Sequence, residues 1–469
     1  MRSARNQATR VLATACVLSA AAWGAASVTA ATAATAATAK PGADLASLKV
    51  QPDGLRVFKP VSQNSVLTSA QCQTIAQINC YDPDEIQQAY GLNSLYNANI
   101  TGKGMTIVIV DAYGSPTVDD DLTEFDAEAG VANASLTILA PVGKIPAFDL
   151  NNGDMYGWAG ETTLDVEYAH AIAPGAKIVL VEAPSDNMSD LINAVKYAVS
   201  HRLGNVITQS FAEPEQDLGA QQAKAWHAIY SQAAAEHITV LASAGDTGAT
   251  GYTNSGNFYT HPVAEWPASD PDVTAMGGTS LNLDYAGNKQ SPDVVWNDTY
   301  NTAVSNDQTG SDDPNPSASG GGKSVIFGRP SFQNSVKNIV GNSRGIPDIS
   351  MSGACDGTVE IYQGYGGLPV GWYPVCGTSE SSPMFAGIVA LADQVAGHAL
   401  GDINPAIYKL AAEHAKGIVL VTSGNNTVSF TQGGNVTVHG YSARNGYSLA
   451  AGVGTINAQY FVPELARLG

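Results

Sequence analysis

Positive charge is scarce in this chain. Lysine and arginine together number 22 against 42 aspartates and glutamates among 469 residues, and all charged residues make up only 14%. A surface this acidic repels phosphate backbones and anionic lipid headgroups, so nucleic acid and membrane surfaces are not expected partners. Cysteine is also sparse: there are five, and their spacing fits no zinc pattern. No internal repeat is evident. The strongest apolar run, VLATACVLSAAAWGAA, is shorter than the roughly 20 residues a spanning helix needs.

What is present is a globular composition. At 44% hydrophobic the chain can bury a large core, and its length suits one large domain or two ordinary ones. Residues 1–39 begin with Arg2, Arg5 and Arg10, pass through that apolar run and fade into ATAATAATA. This is the pattern of a secretory signal peptide, so an extracellular protein is expected. Three of the 22 basic residues leave with it, so 19 face 42 acidic ones and the net charge falls near −23. Such a surface loses charge in acid. Cys16 lies inside the discarded segment, and the remaining four cysteines form two local pairs, Cys72 with Cys80 and Cys355 with Cys376. In an oxidising compartment an even count favours two disulfides over a metal site.

Residues 40–81 form a polar lead-in. From about residue 100, apolar runs alternate with helical patterns. GMTIVIVDAYG, AKIVLVEAP, GNVITQSFA and HITVLASAGDTG look like strands buried on both faces, while SDNMSDLINAVKYAVSH and GAQQAKAWHAIYSQAAAEH have helical spacing. The series predicts an α/β fold: a doubly wound, mainly parallel sheet with helices on both faces. Chemistry in such sheets collects beyond the carboxyl ends of the strands. Residues 281–322 predict surface loops, and 417–457 short strands and turns.

Three polar motifs fall where that rule points. In VCGTSESSPMFAG, Ser379 opens a small-residue helix, with Pro383 expected in its first turn, beside backbone N–H groups that can bind an oxyanion. A helix N-cap would also explain that serine. In GETTLDVEYAH, Glu161 and Asp165 are four apart, on one face at the start of a helix. Two adjacent carboxyls relieve their repulsion by sharing a proton, which raises one pKa and makes a general base or acid. Stabilisation of a first turn by the helix dipole is the alternative. His170, nine residues beyond Glu161, lies about 13 Å further along the axis and cannot occupy the same place. In SAGDTGATG, Asp246 leaves the carboxyl end of a strand, as any turn aspartate might, and if protonated it can donate to an oxyanion.

Taken together, these motifs resemble the sedolisin family of serine-carboxyl peptidases, which have an enlarged subtilisin-like fold. The resemblance rests on Glu161 and Asp165 in Glu-x-x-x-Asp, Asp246 in AGDTG, and Gly377 to Gly387 in G-T-S-x-S-x-P-x-x-A-G. WPASDPDVTAMGGTSL, SGGGKSVIFGRPSFQ and RGIPDISMSG resemble family segments in the same order, so the peptidase-like domain is set at 82–469. The resemblance implies a secreted endopeptidase acting on proteins or peptides in acid, and a monomer. Ser379 would be the nucleophile, Glu161 the base, Asp165 its orienting partner and Asp246 the oxyanion acid. Asp111, in IVIVDAYG, stands where a subtilisin carries its triad aspartate and is read as a structural or accessory acid. None of the eight histidines lies in the His-Gly-Thr context of subtilisins.

Two departures qualify the match. The lead-in is short for the folded prosegment that family members carry. Their calcium loop is degraded, with Leu420 and Ser448 replacing aspartates, so no cofactor is expected. The alternatives are an inactive binding or scaffold protein on the same fold, and a hydrolase built on Asp111, His170 and Ser379.

Overall fold

The computed structural model describes residues 48–50, 56–57, 65–304, 314–365 and 369–469. The expected signal peptide and most of the lead-in lie outside them. Where the lead-in is described, it joins the main body. The backbone at 48–50 bonds to Asp186 and Met188, and Arg56–Val57 pairs with Val375 and Cys376. Both predicted disulfides are formed, Cys72–Cys80 and Cys355–Cys376.

The core is an eight-stranded sheet. In chain order its strands are β1 (Thr106–Ala112), β2 (Ser135–Leu139), β3 (Lys177–Ala183), β4 (Val206–Gln209), β5 (Thr239–Ser243), β6 (Thr274–Ser280), β7 (Val294–Val295) and β8 (Ile349–Ser352). Their spatial order is β7-β6-β5-β4-β1-β3-β2, with β8 also beside β6. Every neighbouring pair is parallel except β6 with β7. The four strands expected from Val, Ile and Leu runs are β1, β3, β4 and β5, and all are buried almost throughout. TAMGGTS, which forms β6, carries no such run; its small residues suit a strand pressed from both sides, and a Cβ at Gly278 would meet Trp296 at 2.7 Å.

Helices cover both faces. They include α1 (Val118–Glu128), α2 (Gly153–Ile172), α3 (Met188–Ser200), α4 (Ala220–Ala235), α5 (Thr378–Ala396) and α6 (Ala458–Ala466). The helices α2 and α5 are buried along most of their length and cross where Gly387 meets Ile172. A Cβ at Gly387 would stand 2.6 Å from the Ile172 side chain, so glycine sets how closely the two can approach. Among the described residues no helix is long and apolar enough to cross a membrane.

Candidate active site

Helix α2 begins at Gly153, capped by the Asn152 side chain, which accepts from the Asp154 and Met155 N–H groups. Glu161 and Asp165 therefore lie in the helix interior, not at its start as the sequence suggested. The dipole effect fades within the first turn, so it does not account for them. Both are fully buried. Burying two acids one turn apart with no cation is costly unless protons are held there.

Helix α5 likewise begins earlier than expected, at Thr378, which puts Pro383 inside the helix and not in its first turn. Proline has no N–H, so the Ser379 carbonyl four residues back receives no helical hydrogen bond. The Ser210 hydroxyl fills part of that gap, lying 3.5 Å from the Ser379 carbonyl while donating to Asp165 Oδ1 at 2.9 Å. Ser210 follows β4 directly and ties nucleophile and dyad together.

Glu161 holds its proton well above the ordinary range. Burial is the main cause, followed by the Asp165 and Asp111 charges; Ser379 opposes the shift, and Asp246 adds a smaller push upward. The Ser379 hydroxyl is thus near enough to favour the charged Glu161, although the pair closes no well-aligned hydrogen bond. Such contacts are commonly loose before substrate binds. Asp165 is raised by burial and then by Asp111, against the Ser210 hydroxyl. Asp111, at the end of β1, is pushed up to about 7 by burial, with Thr162 opposing and Glu182 adding to the rise. Its register partner on β3 is Glu182, itself raised to about 7 by burial. Asp111 is therefore an additional member of the carboxyl cluster.

Asp246 follows β5 through Gly245. Its Oδ1 accepts from the Thr378 N–H at 2.6 Å and the Thr378 hydroxyl at 2.7 Å, and that hydroxyl accepts from the Gly245 N–H at 3.2 Å. Two donors converge on Oδ1, so a proton on this acid belongs on Oδ2. That oxygen faces Gly377, whose φ of +136° and lack of a Cβ leave room for it. The loop is clamped from outside: Ala318 N donates to the Asp246 carbonyl at 2.9 Å and Gly320 N to the Gly245 carbonyl at 2.6 Å.

The structure thus gathers Ser379, Glu161, Asp165, Asp246 and Asp111 at the carboxyl ends of β1, β4 and β5. It leaves His170 out. That ring is buried in the last turn of α2, with Nε2 2.9 Å from the Ala132 carbonyl and 3.3 Å from Asp126 Oδ1. The sequence assigns no role to Ser210, Thr378, Thr162 or the 318–320 clamp; Ser210, Thr378 and Thr162 all lie inside motifs given above, but as common hydroxyl residues they carry no distinguishing signal.

A parallel sheet with a serine and acids at its carboxyl ends defines a class, and the chain belongs to it: the Subtilase family, whose sequence model matches residues 150–434. Within that class it is most informatively set beside the serine-carboxyl enzymes. Kumamolisin of Bacillus sp. (strain MN-32) is 31% identical over 359 residues, covering 74% of this chain and 58% of that protein. Sedolisin of Pseudomonas sp. (strain 101) is 30% identical over 387 residues, covering 80% of this chain and 60% of that protein. The chain therefore spans about three fifths of the length of these relatives. The structure of Pseudomonas sedolisin, described as a serine-carboxyl proteinase complexed with pseudo-iodotyrostatin, superposes with a TM-score of 0.67 at 27% identity, over 82% of this chain and 97% of that one.

Proposed function

We propose that this protein is a secreted serine-carboxyl endopeptidase that cleaves protein or peptide substrates in acid. The observation that carries the proposal is the buried Glu161–Asp165 pair, in a helix interior and beside Ser379, where a histidine-based enzyme would need an imidazole. Ser379 Oγ attacks the scissile carbonyl and its proton passes to Glu161. Asp165, held by Ser210, accepts part of the cluster's shared proton and keeps Glu161 oriented. The developing oxyanion is met by Asp246, protonated on Oδ2, and by the Ser379 backbone N–H in the first turn of α5. Glu161 then returns its proton to the leaving amine, and water releases the acyl group by the reverse route. The cycle needs one charge within the cluster and a proton on Asp246. A carboxylic acid donates only while protonated, so activity falls as pH rises.

The residues at the family's calcium position do not fit that ion. Leu420 offers no side-chain oxygen and is exposed, and the Ser448 hydroxyl accepts from Ala451 N at 3.1 Å within its own turn. Calcium prefers six to eight oxygen ligands, several of them charged. No step of the reaction passes through a metal, and elemental analysis of purified protein should find no stoichiometric calcium.

The deciding experiment is cleavage of a denatured protein across roughly pH 3 to 8, with Ser379→Ala and Glu161→Gln alongside. Acid-restricted cleavage lost in both variants is expected. Neutral-pH cleavage surviving Glu161→Gln would refute the carboxyl base, and no cleavage by the folded protein at any pH would refute the enzyme.

A further inference from the structure

Away from the site, His227 on α4 faces the turn that leads into β6. Its Nδ1 lies 2.8 Å from Asp270 Oδ1 and 3.1 Å from Oδ2, and its Nε2 is 3.9 Å from Asp272 Oδ2. One donor atom from each of the three residues falls within 4.8 Å of the others. A tetrahedral ion with bonds of about 2.1 Å places its donors roughly 3.4 Å apart, so separations of at most 4.8 Å would have to close by no more than about 1.4 Å to bring the three onto one ion.

The surroundings prepare the carboxylates. The Asp270 side chain is fully buried, and its Oδ1 also accepts from Asp272 N at 3.0 Å, which fixes the turn. Ser231, one turn along α4, donates to Asp272 Oδ2 at 2.7 Å and so aims that carboxylate at the imidazole. Because its proton goes to Asp272, Ser231 is a poor candidate nucleophile despite lying 3.2 Å from His227 Nε2. Among the described residues neither aspartate pairs with lysine or arginine, and Asp402 lies near enough to be repelled by Asp272. His227 and Asp272 are 32% and 27% exposed, which leaves an entry path.

We propose that His227, Asp270 and Asp272 form a binding site for a borderline first-row divalent ion of the zinc class, fastening α4 to the turn before β6. One imidazole with two carboxylates suits zinc, cobalt or nickel and offers too few oxygens for calcium. The turn 270–272 precedes β6 and so lies at the amino end of the sheet, opposite the catalytic residues. The ion's role is therefore structural, and the remaining coordination positions go to water or the Ser231 hydroxyl.

The test uses the full chain carrying Ser379→Ala, which prevents self-cleavage, stripped with chelator at neutral pH. Zinc chloride is titrated by calorimetry, and cobalt chloride is followed by its visible absorption. One saturable ion per chain is expected, with a raised melting temperature and a tetrahedral cobalt band. His227→Ala should abolish the event. Asp272→Asn, which keeps the buried His227–Asp270 pair, should weaken it by about tenfold or more. Absence of saturable binding in the parent chain, or binding as tight as the parent's in the folded Asp272→Asn and His227→Ala variants, would overturn the assignment.

Discussion

Gly377→Ala tests the oxyanion geometry without replacing any of the groups assigned to the reaction. At φ +136° an alanine is strained, at a cost of about 1–3 kcal/mol. The new Cβ would also stand 2.3 Å from Asp246 Oδ2, the oxygen assigned the proton. To reach even a 3.0 Å contact, the carboxyl must retreat by about 0.7 Å. Moved along its hydrogen bond, it would lengthen the 2.6 Å Thr378 N–H contact to roughly 3.3 Å, past the favourable range. A displaced oxyanion donor costs about 10²–10³ in kcat. Steady-state hydrolysis of a peptide in acid should therefore show kcat reduced by about that factor with KM little changed. Circular dichroism and a melting curve would verify that the variant folds. A folded Gly377→Ala enzyme with kcat within about threefold of the parent, less than 1 kcal/mol of barrier, would refute the placement of Asp246 at the oxyanion.

Ser210→Ala removes the hydroxyl shared by Asp165 and the Ser379 carbonyl; kcat should fall about tenfold or more and the pH profile should shift, whereas a purely structural role would leave the profile in place. Asp393, buried near the end of α5 and accepting from Leu400 N, is raised from 3.8 to about 7 by burial. The folded state holds this proton more tightly than the unfolded state, so its contribution is full below about pH 4 and lost as pH rises through about 7, at most about 4 kcal/mol. Thermal melts should show falling stability over that window, and Asp393→Asn should flatten part of the fall; a parent chain most stable at neutral pH would contradict this. Removing the Cys355–Cys376 bridge, which closes a 21-residue separation three residues before Ser379, should cost about 3 kcal/mol in denaturant unfolding; an unchanged midpoint would show that the strand holds without it.

The parts of the fold legible in sequence were those whose burial leaves a local pattern. The strands β1, β3, β4 and β5 are continuous apolar runs because helices cover both sheet faces, and α3 and α4 keep helical spacing. Strand β6 escaped because close packing selected Gly and Ala in place of Val and Ile. The start of α2 was misplaced for a related reason. MYGWAG has glycines and aromatics that break the usual helical pattern, and its true signal, the Asn152 cap, is a single residue.

The candidate site divides along the same line. Acids and a serine in short motifs can be read because their spacing carries chemistry, but what makes them a site is the set of contacts between motifs. Asp165 depends on Ser210, 45 residues away, and Asp246 on Thr378, 132 residues away. Each partner is a common hydroxyl residue whose role exists only once β4, β5 and α5 converge. The missing proline N–H at Pro383 has meaning only because Ser210 lies against the carbonyl it leaves open. A sequence can thus nominate the reacting groups, while their protonation is decided by burial and by neighbours contributed from other strands. Asp111 is the clearest case: near the end of a strand, it shares a buried cluster with Glu161 and Asp165 and is the register partner of Glu182, so its proton is part of the same balance.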